Sequence, residues 1–336
     1  MTSIAEKGGS GFGGIKLLLC ENPLPPIEEA IAAAQAEVSH SNYYTEPYSA
    51  PLRQLLSERL GVPERLIHIN AGSELILRQL FDRFGQQVHL LTPTYVLFPE
   101  IAGHYTETRL PPDKDFSFDL GELVIPQDTS LAVIVNPNNP NGGIFDMAPL
   151  PDLLRRHPNT RFLVDEAFIG LAGQSVVHLM PDHPNLLVTR TLSKAHSLAG
   201  FRIGYGIFPQ DVADDLNAHN DAYPLARPSQ AAAVATLQHE DKIHQRAAQL
   251  RIWTEGLAAE LRAIGVRTFA TQTYFFLADF SPHSAAEITE QMRSRDILIK
   301  PLNDPALGPG FMRVTTALPE DNRRFVEVLR ELLGRA

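Results

Sequence analysis

Short aliphatic and β-branched runs recur along this chain with helical stretches between them, and that rhythm restricts its fold more than any other feature. LIHIN (66–70), QVHLL (87–91), LAVIV (131–135), RFLV (161–164), LLVTR (186–190) and RIGYGI (202–207) are each four to six residues long. They lack a polar alternate face, which predicts strands buried on both sides of a largely parallel sheet. SELILRQLFDRFG (73–85) and PLPDLLRRHP (149–158) lie between them with helical spacing. Alternation of this kind predicts an α/β layered domain, a mostly parallel sheet flanked by helices.

After about residue 228 the pattern changes. A nearly continuous helix-forming stretch runs from SQAAAVATLQ to ELRAIG and ends at a glycine. TYFFLADF then reads as a strand, SAAEITEQMRSR as a helix, FMRVTT as a strand and the chain's end as a helix. IEEAIAAAQAEV (27–38) is also helical. The expectation is a large domain over 41–227 and a smaller α+β domain built from 1–40 and 228–336.

Composition narrows the function. At 336 residues, 44% hydrophobic and 20% charged, the chain can bury a sizeable core. A net charge of −10 without a basic cluster argues against nucleic acid or an anionic membrane as the main partner. No apolar run approaches the roughly 18 to 20 residues needed to span a bilayer. Cys20 is the single cysteine, so no internal disulfide forms, which fits a cytoplasmic enzyme. The histidines show no metal-ligand spacing. GSGFGG (9–14) formally matches a dinucleotide fingerprint, yet it follows no strand and precedes strand-like IKLLLC, so it reads as a mobile tail.

The chemistry gathers at strand ends. In INAGSELI (69–76), Gly72 and Ser73 open a helix; they either cap it or offer free N–H groups to a phosphate. Tyr95, in TPTYVLFP (92–99), follows a strand end, where it either packs or stacks on a flat ring. VNPNNPNGG (135–143) is more specific, because two prolines and two glycines fix an irregular turn that presents the Asn139 amide. FLVDEAFIG (162–170) ends a buried strand with Asp165 and Glu166, a costly placement unless a cation is met or a helix is capped. Finally, TRTLSKAHSLAGFRIGYG (189–206) sets Lys194 in an apolar run, with Ser193 before it and Arg202 eight positions later. A desolvated lysine can be neutral and attack a carbonyl, while hydroxyl and guanidinium groups suit a phosphate. One explanation covers all of these: they surround pyridoxal 5′-phosphate, held by Lys194 as a Schiff base.

The ordered set NPNNPNGG, DEAF, TRTLSKAHSLAGFRIGY and FMRVTT resembles the class I/II aminotransferases of PLP fold type I. The likeness is greatest to the histidinol-phosphate aminotransferase group, which includes threonine-phosphate decarboxylases, and it runs from CENPLPP (20–26) to MRVTT (312–316). It implies that Lys194 carries the imine, Asp165 pairs with the pyridine nitrogen and Asn139 bonds the ring's phenolic oxygen. It assigns the cofactor phosphate to Gly72, Ser73, Ser193 and Arg202 with help from Thr191, and the stacking ring to Tyr95. Tyr44 matches a tyrosine that reaches the phosphate from a partner subunit, which implies a homodimer. Arg313 matches the substrate-carboxylate arginine, and Lys300 and Asn22 fall at substrate-binding positions.

There are departures. Asn141 replaces the usual threonine of the turn, and Phe168 stands where the family has a tyrosine that also bonds the phenolic oxygen. Lys300 replaces an arginine for the substrate's distal phosphate, keeping charge but losing bidentate geometry. TQTYFFL (271–277) replaces a Ser-x-Ala-Asn-Phe pattern. The resemblance implies amino transfer between an amino acid and a 2-oxo acid, with Lys194 as the base at Cα. A decarboxylase or other lyase uses the same groups. A non-catalytic, PLP-binding regulator is a further alternative, although the chain has neither room nor a basic patch for a DNA-binding domain.

Overall fold

The computed structural model describes residues 13–302 and 304–334; residues 9–12 of the glycine-rich run, read above as a tail, lie outside them. A short strand, β1 (Ile15–Leu17), leads to helices α1 (Glu28–Val38) and α2 (Ala50–Leu60). Next come β2 (Ile67–Asn70), α3 (Ser73–Phe84), β3 (Val88–Thr92), α4 (Leu97–Ala102) and β4 (Tyr105–Arg109). β5 (Leu131–Val135), α5 (Leu150–Arg156), β6 (Arg161–Asp165), β7 (Leu186–Thr191) and β8 (Gly204–Ile207) follow. Helices α6 (Gln210–Ala218), α7 (Arg227–Gln238) and α8 (Glu240–Ala263) lead to β9 (Arg267–Thr268) and β10 (Phe275–Asp279). The chain ends with α9 (Ala285–Arg293), β11 (Ile297–Pro301), β12 (Phe311–Thr315) and α10 (Pro319–Leu332).

Seven strands form the large sheet in the order β2-β8-β7-β6-β5-β3-β4. The ladders from β4 through β3, β5 and β6 to β7 are parallel, whereas β8 runs antiparallel to both β2 and β7. The apolar strand sequences account for this placement. Along β5, Ala132 and Ile134 join one buried cluster while Leu131, Val133 and Val135 join another on the opposite face. Both faces are therefore covered, and each buried aliphatic side chain contributes roughly 1.5–3 kcal/mol.

Two strands differ from expectation. β4 was hidden because YTETR is polar and mostly exposed, as an edge strand tolerates. The run RIGYGI forms a strand only from Gly204, because Arg202 adopts a left-handed φ of 53° after a tight turn over Ala199–Phe201.

The smaller sheet has the order β1-β11-β12-β10-β9, with β1 parallel to β11 and the other ladders antiparallel. Leu17, Phe276, Met312, Val314 and Phe325 share its own buried cluster. Buried residues of α1 (Ala30), α7 (Ala233) and the first half of α8 (Leu250) belong instead to the large sheet's cluster. Boundaries at residues 40 and 228 would group these helices with the small unit. Among the described residues no helix is long and apolar enough to cross a membrane.

Candidate active site

Strands β2, β3, β5, β6 and β7 all end at one edge of the large sheet, and the antiparallel β8 begins there. Open α/β sheets bind ligands at this edge. Lys194, Asp165, Asn139, Tyr95, Gly72, Ser73, Thr191, Ser193 and Arg202 all lie in the segments that leave or enter it.

The phosphate-type donors meet around the N-terminus of α3. Gly72 caps that helix at a φ of 91°, and a Cβ there would lie 2.4 Å from Arg202 Nη2. Gly204 is equally constrained, since a Cβ on it would lie 2.1 Å from the Ser73 nitrogen. Glycine at both positions lets backbone and guanidinium close on one small volume. Thr191 Oγ1 lies 2.8 Å from Ser193 Oγ and donates to the Ile203 carbonyl, so both hydroxyls are held at the end of β7. Helix N–H groups, two hydroxyls and an arginine form a set suited to a phosphate.

Asp165 is 3% exposed at the end of β6. Burial pushes its carboxyl up to about 7, against the opposing pull of the Thr189 hydroxyl, the Ala167 N–H and Lys194, with Glu166 adding to the rise. Among the described residues no cation offsets that burial in full, and a protonated ring nitrogen would supply one. The neighbouring Glu166 is fully engaged instead. Its Oε2 accepts from Arg190 Nε at 2.7 Å and from Ser175 Oγ at 3.0 Å, and its Oε1 accepts from the Val176 N–H. Removing one member of a buried pair strands the other. Glu166→Ala is expected to cost about 3–5 kcal/mol, read from the urea midpoint; a loss under about 1 kcal/mol would show the pair to be dispensable.

The asparagine turn divides its labour. Asn138 Nδ2 donates to the Pro93 and Asn141 oxygens, and Asn136 Oδ1 accepts from the Phe145 N–H, so these side chains hold the loop. Asn139 is also buried, and its Oδ1 accepts from Arg313 Nη1 at 2.9 Å. A guanidinium can only donate, so the Asn139 oxygen is the bonded atom and its NH₂ is the group that can donate to a further acceptor. Arg313, 8% exposed on β12, also donates to the Leu18 carbonyl, while its Nε has no partner among the described residues. Lys300 on β11 lies directly opposite Arg313 in the antiparallel register, so the two project from the same face. Burial pushes the Tyr95 phenol up to about 12; Glu74 and Asp165 add to this and Arg313 opposes it, which places the ring among these charges.

Lys194 is half-buried, and burial lowers its ammonium below the ordinary lysine range. Its Nζ donates to the carbonyls of Leu19 at 3.1 Å and Cys20 at 3.2 Å, and lies 5.7 Å from the centre of the Phe168 ring. Phe168 packs edge-on against Tyr274 and Phe275, and the Tyr274 hydroxyl is spent on the Cys20 carbonyl. His196 is pushed down to about 4 by burial, with Arg190 and His244 adding to the effect, and its Nδ1 has no partner among the described residues. It is a neutral, packed imidazole.

Asn22 and Tyr44 make other contacts within this chain. Asn22 bonds the backbone carbonyls of Lys194 and Ala195 and the Leu24 N–H, so its amide ties the N-terminal segment to the lysine loop. Tyr44 is 75% exposed and stacks on Tyr223 with centroids 4.4 Å apart, outside the group above. Sequence reasoning missed Thr189 and the carbonyls of Leu18, Leu19 and Cys20, because backbone acceptors and strand register leave no residue-type signal. The glycine cradle, the cation-short carboxyl and the half-buried amine together fit the phosphate, ring nitrogen and aldehyde of pyridoxal 5′-phosphate.

The sequence signature described as "Aminotransferase class I and II" matches residues 14–329. Histidinol-phosphate aminotransferase 1 of Pseudomonas aeruginosa is 30% identical over 329 residues, covering 95% of this chain and 92% of the relative. Among solved structures, the histidinol-phosphate aminotransferase of Sinorhizobium meliloti in complex with pyridoxal-5′-phosphate superposes with a TM-score of 0.86. It is 22% identical and covers 95% of this chain and 91% of that one. The L-threonine-O-3-phosphate decarboxylase of Porphyromonas gingivalis gives 0.83 at 22% identity, covering 95% and 99%. The structural likenesses establish the shared fold, and the signature spans both sheets and every strand end described above. The chain belongs to the class I and II aminotransferases.

Proposed function

We propose that this aminotransferase uses pyridoxal 5′-phosphate and takes its amino group from a phosphate-bearing amine, histidinol phosphate being the first candidate. The observation that carries the substrate class is the buried Arg313, with Lys300 opposite it across the β11–β12 ladder. Two cations on one face suit a dianion better than a single carboxylate. The name of the Pseudomonas aeruginosa relative points the same way.

In this reading Gly72, Ser73, Thr191, Ser193 and Arg202 hold the cofactor phosphate. Asp165 partners the ring nitrogen, Asn139 bonds the ring oxygen and Tyr95 stacks on the ring. The bound cofactor supplies an electron sink and carries the amino group between the two substrates. Lys194 Nζ, its proton affinity lowered by burial, removes the proton at the substrate's Cα. Arg313 and Lys300 orient the substrate through its anionic end. The exposed Tyr44, with Tyr43 and Tyr48 also exposed, supports a homodimer in which Tyr44 completes the phosphate site of the partner subunit.

Histidinol phosphate, O-phospho-threonine and non-phosphorylated amino acids, each supplied with and without a 2-oxo acid, test the proposal. The expected result is a new amino acid formed from the oxo acid with histidinol phosphate and little carbon dioxide from any donor. Carbon dioxide released from phosphothreonine without an oxo acid would instead establish a decarboxylase.

A further inference from the structure

Asp165 ends β6 and Glu166 follows it, but only one of them is left short of a cation, and the register of β6 against β7 explains why. Successive residues of a strand point to opposite faces. Asp165 lies opposite Thr189, and Arg190, the next residue, is on the other face with Glu166. The Asp-Glu and Thr-Arg pairs thus sort into a carboxylate–hydroxyl pair on the cofactor side and a carboxylate–guanidinium pair on the far side. Slipping either strand by one residue would set Arg190 against Asp165 and neutralise it.

The other lateral neighbour of Asp165 in the sheet is Val135, which offers no donor. Thr189 is completely buried, and its Oγ1 donates to Asp165 Oδ1 at 3.1 Å. A β-branched side chain in a strand has few rotamers, so this donor is fixed before any ligand arrives.

We propose that Thr189 is a positioning residue, whose hydroxyl holds the Asp165 carboxylate in place and leaves it an edge for the cofactor's ring nitrogen. The proposal rests on the reading of Asp165 as the partner of that nitrogen. A hydroxyl, unlike an arginine or lysine, orients the carboxylate without neutralising it, so the attraction for a ring-nitrogen cation is kept.

The test compares dissociation constants of pyridoxal 5′-phosphate and its 1-deaza analogue, in which a CH replaces the ring nitrogen. They are measured on cofactor-free wild type, Thr189→Val and Thr189→Ser. Wild type is expected to prefer the natural cofactor, Thr189→Val to lose about tenfold of that preference, and Thr189→Ser to regain it. Affinity for the analogue should be the same in all three proteins. If Val weakens both ligands equally, Thr189 has only a packing role and the proposal fails. It also fails if the preference is unchanged. A wild type with no preference would overturn the reading of Asp165 and the proposal with it. Should Thr189→Val not fold, Thr189→Ala carries the same comparison.

Discussion

Lys194→Ala is expected to lower amino transfer by at least about 10³-fold, since on the proposed reading the change removes the base at Cα as well as the covalent anchor. The loss falls on the chemical step. Gly72, Ser73, Thr191, Ser193 and Arg202, proposed to hold the cofactor phosphate, do not depend on the lysine side chain for their arrangement, so the variant should still take up the cofactor non-covalently. Single-turnover formation of the keto product, measured beside cofactor uptake, separates the two effects. A variant that binds cofactor and turns over within tenfold of wild type would remove Lys194 from the chemistry.

Asp165→Asn should lower turnover by about 10²–10³-fold, the usual cost of deleting one preorganised electrostatic partner. The same change should stabilise the cofactor-free protein at alkaline pH. Burial raises this carboxyl from 3.8 to about 7 in the folded chain. Between those values the unfolded chain has released the proton and the folded chain retains it, so this group's contribution to stability falls as pH rises through the window. Above pH 7 the buried charge costs on the order of a few kcal/mol, and a neutral amide avoids that cost. Thermal unfolding of both cofactor-free proteins at pH 5 and pH 8 checks the sign. The variant should gain on wild type at pH 8 relative to pH 5, whereas an equal difference at both would mean that Asp165 is not strained by burial. A residue whose removal stabilises the empty fold while disabling the loaded one has been placed for its ligand.

Both layers of the fold were legible because strands buried on two faces must be apolar throughout, as LAVIV and LLVTR are. β4 was not, since an edge strand can carry YTETR without leaving the ladder. The reach of α1 and α7 into the large sheet's cluster was also hidden: helix formers show that a helix exists but not which face it covers. At the site, Lys194, Asp165 and Asn139 stood out because a polar group at the end of an apolar strand needs a reason. The bonds of Asn22 to the lysine loop were hidden for the opposite cause, since an amide bonding backbone carbonyls looks, in sequence, like one facing a substrate. Thr189 offered nothing until the register set it beside Asp165.

Borohydride reduction of the protein saturated with pyridoxal 5′-phosphate, followed by peptide mass spectrometry, addresses the assignment of Lys194 most directly. The expected result is one stoichiometric pyridoxyl group on the peptide that holds Lys194. An unlabelled Lys194 peptide, or the label on another lysine such as Lys300, would contradict it.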